Sequence, residues 1–326
     1  MARGYSIPQS ENMKSIPYHM MKSLLFAVLA AVVVALSAAT GCRNMSPSGD
    51  DAPAFAVPAK LPDLTSPSAV EPGITVQHAR IQHGASHTDL LVFLPQRQAG
   101  HKLACIFIAP AGTRLFHGSA LEDGNPPEYL PYLRAGYAVV AYELAGDLPQ
   151  HFSDQQLVDA TSAFKAANGG LNDARVAMDY ALAKAPGIDP DRLYVAGHSS
   201  AATVALYVAA NDPRVKACIA YAPACHINER LGPRAVRALN NVVPGFDAFI
   251  QHISPDTNAS RIHCPIFLFH ADDDSNVPAD DVNRFAAQLK QNHAKLTYVT
   301  VPTGNHYQSM IDQGLPKAVE WLKGLP

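Results

Sequence analysis

The chain lacks any run of lysine and arginine, and its 25 basic and 28 acidic side chains leave a formal net charge of −3. A nearly neutral chain without a basic stripe is not typical of nucleic-acid-binding proteins, so we expect no nucleic-acid partner. Cysteine and histidine do not occur at the spacing of a zinc site, and internal repeats are absent. Apolar residues make up 48% of 326 residues, enough for one large α/β domain or two small ones.

The one long hydrophobic run lies near the N-terminus, where MKSLLFAVLAAVVVALSAATGC extends from Met21 to Cys42. This is the layout of a secretory signal peptide, which we assign to residues 1–42, with Met20 or Met21 as a possible true start. The ending resembles a bacterial lipoprotein cleavage site. It predicts an exported, periplasmic or cell-envelope lipoprotein that meets the membrane only through a lipid on Cys42. Cleavage after Ala39 and an uncleaved anchor are the alternatives.

Residues 43–70 contain five prolines, several serines and no apolar periodicity. This composition predicts a disordered tether. We therefore expect the folded domain to occupy residues 71–326.

From residue 74 onward, strand-like and helix-like patterns alternate. Two extended runs at 74–81 and 88–94 predict a hairpin. Further strands are predicted at 103–109, 137–142, 193–196, 215–221, 265–269 and 296–301. Helices are predicted before Gly136 and at 171–185, 201–210, 279–289 and 316–323. Such alternation predicts a mostly parallel central sheet with helices on both faces.

Three polar segments directly follow predicted strands, at the edge where open α/β sheets bind ligands. They are GHSSA at 197–201, HADDDSNVP at 270–278 and PTGNHY at 302–307. A serine, a carboxylate cluster and a histidine thus occur in that order. The simpler alternative is that Ser199 or Ser200 only caps the following helix.

In these segments the chain resembles the α/β-hydrolases, in which nucleophile, acid and histidine follow in this order. The stretches IDPDRLYVAGHSSAA, SPDTNASRIHCPIFLFHADDDSNVP and GNH are most similar to the prolyl oligopeptidase catalytic-domain group and the dienelactone-hydrolase-like esterases. The resemblance covers essentially all of residues 74–324. It implies an α/β-hydrolase fold with a small cap after the sixth predicted strand, around 228–243. It implies no cofactor.

The resemblance makes Ser199 the nucleophile, on a tight turn where Gly197 leaves room for the backbone. Ala201 stands where many relatives have a second glycine. The N–H of Ser200 is expected to stabilise the oxyanion. The second donor is expected on the loop after strand 103–109, where relatives often carry His-Gly-Gly and this chain offers the N–H of Thr113.

His306 follows the last strand and is the expected base, with His270 as the runner-up. Overlay on the family pattern H-G-x-x-D-x-x-V-P makes Asp274 the acid that orients the imidazole. Asp272 and Asp273 are close enough in sequence to leave this choice open.

The same loop imitates the opening of a calcium site, but Val277 stands where the sharp-turn glycine is needed and Asn283 replaces the final glutamate. We therefore predict no metal. Four cysteines other than Cys42 are expected to be free, because the implied sheet separates them. Cys225 and the two residues after it are possible lining of an open site.

Together these features predict an exported serine hydrolase that cleaves ester or peptide bonds through an acyl-enzyme on Ser199. The expected substrate is a small-molecule ester or a short peptide. Family resemblance favours a peptidase. The expected absence of a gating propeller makes a carboxylesterase, including one acting on carbohydrate-linked esters, at least as plausible. The alternative from another class is a non-catalytic binding protein that retains the fold.

Overall fold

The computed structural model describes residues 60–83, 86–96, 100–121 and 127–325. The predicted signal peptide with Cys42, and residues 43–59 of the predicted tether, lie outside these residues. Within the described part of the chain, no helix is both long and apolar enough to cross a lipid bilayer.

A nine-stranded sheet forms the centre of the molecule, with the strand order β1-β2-β3-β5-β4-β6-β7-β8-β9. The strands β1 to β3 pair antiparallel, β3 meets β5 antiparallel, and the remaining pairs are parallel. The strands are β1 Ser68–Glu71, β2 Ile74–His83, β3 Ser86–Pro95, β4 Leu103–Ile108, β5 Ala138–Tyr142, β6 Ile188–His198, β7 Val215–Tyr221, β8 Ile266–Ala271 and β9 Leu296–Val301.

Ten α-helices in the described residues cover the sheet and form the cap. They are α1 Leu130–Arg134, α2 Asp154–Ala166, α3 Leu171–Lys184, α4 Ser200–Asn211, α5 Ile227–Leu231, α6 Pro233–Val242, α7 Phe246–Ile253, α8 Pro255–Asn258, α9 Ala279–Gln291 and α10 Leu315–Lys323. A 3₁₀ turn at Ala259–Arg261 and a π-helical turn at Met310–Gly314 complete the set.

The unbroken apolar runs of the central strands explain their place in the sheet. Every residue of β4 and of β5 is buried, as expected for parallel strands with helices on both faces. Side chains alternate between two hydrophobic cores: Cys105 and Phe107 of β4 lie in one, and Ile106 and Ile108 in the other. The predicted α/β-hydrolase architecture is confirmed, including the cap helices α5 and α6 after the sixth predicted strand, which is β7.

Helix α2 was not predicted, although the sequence carries a signal for it. Ser153 accepts a hydrogen bond from the N–H of Gln156, and the Gln156 side chain accepts one from the N–H of Ser153. This capping box precedes buried residues at helical spacing, Leu157, Ala160, Thr161 and Phe164. The pattern S-x-x-Q before an apolar period would have identified the helix.

The fold begins earlier than the expected boundary at residue 71. Strand β1 pairs with β2, and Leu61 and Leu64 pack against the core. The hydroxyl of Tyr180 donates to the carbonyl of Pro62 at 2.9 Å. Apolar contacts therefore hold residues 61–70 in place despite their prolines, and the prediction of a disordered tether is wrong for this part.

The cysteines of the described chain are free, as predicted. Cys105, Cys218 and Cys225 are fully buried, and burial raises the pKa of each thiol. These thiols are thus packing groups of low reactivity.

Two glycines share a left-handed backbone but differ in the space available for a side chain, so substitutions there distinguish backbone strain from overpacking. Gly146 and Gly136 have φ of +88° and +91°. A Cβ at Gly146 would lie 2.2 Å from the Ala160 carbonyl oxygen, whereas at Gly136 it would meet nothing within 4 Å. We expect Gly136→Ala to lower the free energy of unfolding by about 1–2 kcal/mol through its left-handed backbone. Gly146→Ala should lose at least about 3 kcal/mol, because overpacking adds to that strain.

Urea unfolding of both variants, followed by circular dichroism, measures this difference. Equal destabilisation of the two proteins would contradict the close packing of α2 on the Gly146 turn.

Candidate active site

Ser199 occupies the turn between β6 and α4, with φ 57° and ψ −124°. A capping serine has an extended backbone and accepts a helix N–H with its side chain, but Ser199 makes no such bond. Instead, its backbone N–H donates to the carbonyl of Tyr221 at 2.8 Å. The strained backbone lifts the side chain out of the sheet edge, as in a nucleophile elbow.

Gly197 permits this turn because the helix returns directly over it. A Cβ at Gly197 would lie 2.4 Å from the backbone carbon and oxygen of Ala201 and 2.6 Å from the N of Ala202. Any side chain would push α4 away from β6. The methyl group of Ala201 fits in the site, where it is buried.

The ring of His306 is held by the carboxylate of Asp274. The Nδ1–H of His306 donates to Oδ2 of Asp274 at 2.7 Å. The other oxygen, Oδ1, accepts from the backbone N–H groups of Asn276 at 2.8 Å and Val277 at 2.9 Å. The Asp274 side chain is completely buried, so each of its contacts is made without competition from solvent.

Burial alone would raise the pKa of Asp274, but contacts with His270 and His306 outweigh it and hold the pKa well below its usual range. The carboxylate therefore stays ionised. An ionised carboxylate on Nδ1–H places the lone pair of a neutral His306 on Nε2 and stabilises the imidazolium when that nitrogen accepts a proton.

The other two aspartates of the loop have different positions. Asp273 accepts from the N–H groups of Gly304 at 3.1 Å and Asn305 at 2.7 Å, and so holds the turn that precedes His306. The side chain of Asp272 is exposed. Of the three aspartates that the sequence left as candidates for the acid, Asp274 is the one hydrogen-bonded to His306.

His270, the runner-up for the base, is fully buried below the acid loop. Its Nε2–H donates to the carbonyl of Val277 at 3.0 Å, and Nε2 lies 3.4 Å from Oδ2 of Asp274. This position braces the acid loop and does not present the ring to the elbow.

His198 was not singled out by sequence reasoning, yet it joins two parts of the site. Its Nε2–H donates to the carbonyl of His306 at 2.9 Å, and the two rings are 4.5 Å apart, centroid to centroid. Burial, together with the neighbouring His306, lowers the pKa of His198 to about 3. The ring stays neutral and fixes the His306 loop to the strand that carries Ser199. Its position directly before Ser199 was the available signal.

The structure places His306 beside the elbow, in contact with His198, but its Nε2 is not hydrogen-bonded to Ser199. Nε2 of His306 is buried, and in the described part of the chain it has no hydrogen-bond partner. Contacts between a catalytic base and its serine are often long without substrate and tighten in the complex. When Nδ1–H donates to Asp274, Nε2 is the ring nitrogen of a neutral His306 that carries the lone pair.

The loop after β4 reaches the elbow from the other side. Gly112 has φ +90°, and the N–H of the next residue, Thr113, donates to Oγ of Ser200 at 3.1 Å. Ser200 itself begins α4 and is 4% exposed. The two residues expected to supply oxyanion donors are therefore in contact with each other.

The cap places its residues differently from expectation. Cys225 and Ile227 are buried in the core and do not line an open site. His226 pairs through Nδ1 with Asp281, because the chain turns toward α9 at this point. Arg230 of α5 donates to the carbonyl and to the side-chain oxygen of Asn276, both at 3.0 Å. The cap is thus attached to the acid loop.

In the part of the chain that the structure describes, one group of side chains has donor atoms close enough to hold a metal ion: His87, Asp89 and Glu143, all within 4.8 Å of one another. Arg80 donates to both oxygens of Asp89, at 2.7 and 2.6 Å. The guanidinium therefore already neutralises this carboxylate. His87 and Asp89 lie on β3 and Glu143 directly follows β5, and the group forms an ion-pair network with Arg80.

The three aspartates give a graded prediction. Asp274→Asn should lower kcat about 10⁴-fold, because an amide favours the wrong tautomer of His306 and cannot stabilise its charge. Asp273→Asn should have a smaller effect, since it weakens only the bonds to the His306 turn. Asp272→Asn is the matched control and should retain full activity. Steady-state kinetics of the three variants on one ester distinguish them, and a larger loss for Asp272→Asn than for Asp274→Asn would contradict the assignment.

Several known proteins are similar to this chain. The acetyl esterase Axe7A of Xylanibacter ruminicola is 29% identical over 170 residues, which are 45% of this chain and 38% of the esterase. The acylaminoacyl peptidase of Pyrococcus horikoshii matches with a TM-score of 0.63 at 16% identity, over 77% of this chain and 42% of that one. A putative dipeptidyl aminopeptidase IV from Bacteroides ovatus matches with 0.63 at 12% identity, over 80% and 36%. The chain therefore spans about two fifths of these relatives, and the structural likeness at such identity concerns the fold.

The model of the prolyl oligopeptidase family matches residues 129–324. This segment is more than half of the chain, and it contains the strained serine turn, the acid loop and the His306 loop. The strand order of the sheet and the strained turn at Ser199 are consistent with this family match. The chain belongs to the prolyl oligopeptidase family.

Proposed function

We propose that the protein cleaves its substrate through an acyl-enzyme on Ser199, with His306 as general base and Asp274 as the group that orients it. The observation that carries this proposal is the 2.7 Å contact between His306 Nδ1 and Asp274 Oδ2, held next to the strained turn of Ser199. A serine hydroxyl is a poor nucleophile until a neighbouring base accepts its proton.

In the first half-reaction, Ser199 Oγ attacks the acyl carbon and its proton moves to Nε2 of His306. The proton then passes to the leaving alcohol or amine as the acyl bond breaks. In the second half-reaction, His306 takes a proton from water, which attacks the acyl carbon. The bond from that carbon to Ser199 Oγ then breaks, His306 returns the proton to Oγ, and the acid is released. Asp274 remains ionised throughout, because its low pKa keeps it from accepting the proton.

The negative charge on the acyl oxygen develops beside the N-terminus of α4. Ser200 is the first residue of that helix, and its backbone N–H lies where the helix dipole favours an anion. We propose it as one oxyanion donor.

We propose an ester of a small molecule or of a carbohydrate as the preferred substrate. The similarity to an acetyl esterase supports this choice. A short peptide is the second candidate, supported by the family match and by the likeness to an acylaminoacyl peptidase. An ester demands less of the site, since its acyl carbon is less stabilised by resonance than that of an amide, and an alkoxide leaves more readily than an amide anion.

Ser199→Ala tests the mechanism. We expect kcat/KM on p-nitrophenyl esters to fall by about 10⁴-fold or more, because no other group can form the acyl-enzyme. Ser119→Ala, a serine outside the elbow, is the matched control and should keep full activity. A fluorophosphonate probe should label wild type and the control but not Ser199→Ala.

The same proteins assayed on aminoacyl p-nitroanilides compare the two substrate classes. Hydrolysis of anilides faster than of esters would favour the peptidase. Ester hydrolysis that survives Ser199→Ala, or a wild-type protein that no probe labels, would contradict the acyl-enzyme on Ser199.

We also propose that the leader directs export and that a lipid on Cys42 attaches the protein to the cell envelope. The signal-peptide layout and the Ala-Thr-Gly-Cys ending support this. In a bacterial host, the full chain should partition with membranes, and Cys42→Ser should lose lipid labelling with palmitate. Cys264→Ser is the control and should stay labelled. Equal labelling of both variants would place the lipid elsewhere or nowhere.

A further inference from the structure

The hydroxyl of Ser200 has a position that the mechanism above does not use. It belongs to the residue directly after Ser199, which is 4% exposed, and it accepts a hydrogen bond from the N–H of Thr113 at 3.1 Å. A serine hydroxyl has one proton to donate besides its two lone pairs. Across the described residues no protein oxygen accepts that proton from Ser200.

The same contact changes what the Thr113 loop can offer. In an oxyanion hole, amide donors are aimed in advance at the place where charge develops. The Thr113 amide is instead directed at Ser200 Oγ, so two backbone amides are not both free. There are two ways to supply a second oxyanion donor. The Ser200 hydroxyl can rotate away and free the Thr113 amide, or the hydroxyl can itself donate to the oxyanion.

We propose that the Ser200 hydroxyl is the second oxyanion donor, in the chain Thr113 N–H to Ser200 Oγ, and Ser200 O–H to the acyl oxygen. This inference rests on the proposed acyl-enzyme at Ser199. The proton of Ser200 is shared in a hydrogen bond and stays on Oγ, so no bond is broken at this residue.

Hydrogen-bond cooperativity gives the arrangement a physical reason. A hydroxyl that accepts from an amide becomes a stronger donor, because each bond polarises the next. The Thr113 amide also fixes the rotamer of Ser200, so the proton needs little reorganisation as charge appears. Burial of Ser200 excludes water from competing for it.

The opposing hypothesis is that the hydroxyl only blocks Thr113, which donates directly once Ser200 rotates away. The two hypotheses predict effects of opposite direction for Ser200→Ala. Removing a donor slows the chemical step, whereas removing a blocking group frees the Thr113 amide and leaves kcat unchanged or higher.

We expect Ser200→Ala to lower kcat by about 100-fold, as for loss of one oxyanion donor, with KM changed less than about threefold because the ground state needs that donor less. Affinity for a trifluoromethyl ketone, which forms a tetrahedral adduct with an oxyanion, should fall in parallel with kcat. Ser200→Thr keeps the hydroxyl and should restore most of both. Ser200→Cys keeps nearly the same size with a weak donor and should resemble Ser200→Ala, so a packing defect is separated from a lost donor.

Thr161→Ala removes another buried hydroxyl, on α2, and serves as the matched control with full kcat. The inference is overturned if Ser200→Ala keeps wild-type kcat and ketone affinity, or exceeds them. If instead the wild type neither hydrolyses esters nor reacts with a fluorophosphonate, the proposed function itself fails. An active, probe-labelled wild type with an unimpaired Ser200→Ala overturns the role of the hydroxyl alone.

Discussion

The buried negative charge of Asp274 is the constraint around which the site is arranged. Removing a carboxylate from water costs several kcal/mol unless it is paired. Three short hydrogen bonds, from His306 and from the amides of Asn276 and Val277, each contribute roughly 1.5–3 kcal/mol to a charged acceptor. His270 adds a fourth neighbour at 3.4 Å. The acid loop keeps this shape because any other would leave the charge without partners.

The remaining parts of the site are connected to that charge through short links. Asp273 holds the turn before His306, and His198 holds its carbonyl from the neighbouring strand. These hydrogen bonds connect the strand that carries Ser199 to the His306 loop, and the His306 loop to the acid loop. A neutral His198 suits this role, since a positive charge beside His306 would weaken that imidazole in its proposed role as a base.

Residues that sit in local motifs could be predicted from the sequence, and residues that act by contact could not. Ser199, Asp274 and His306 each follow a strand in a recognisable segment, and the structure places the last two in contact. The bonds from His198 to His306 and from Thr113 to Ser200 span 108 and 87 residues, and no short pattern reports them. The expected boundary at residue 71 is wrong because the prolines before it are typical of a tether, whereas the packing of Leu61 and Leu64 against the core appears only in three dimensions.

The attachment of Arg230 to Asn276 divides the segment between β7 and β8 into parts with different freedom to vary. Arg230 of the first cap helix is hydrogen-bonded to the loop that contains Asp274, so the position of this helix is constrained by that loop. The following helix, Pro233–Val242, has only two buried residues, Ala235 and Leu239, so most of its positions can change without disturbing the core. Substitutions are therefore tolerated better along this second helix than at Arg230, whose guanidinium holds the acid loop.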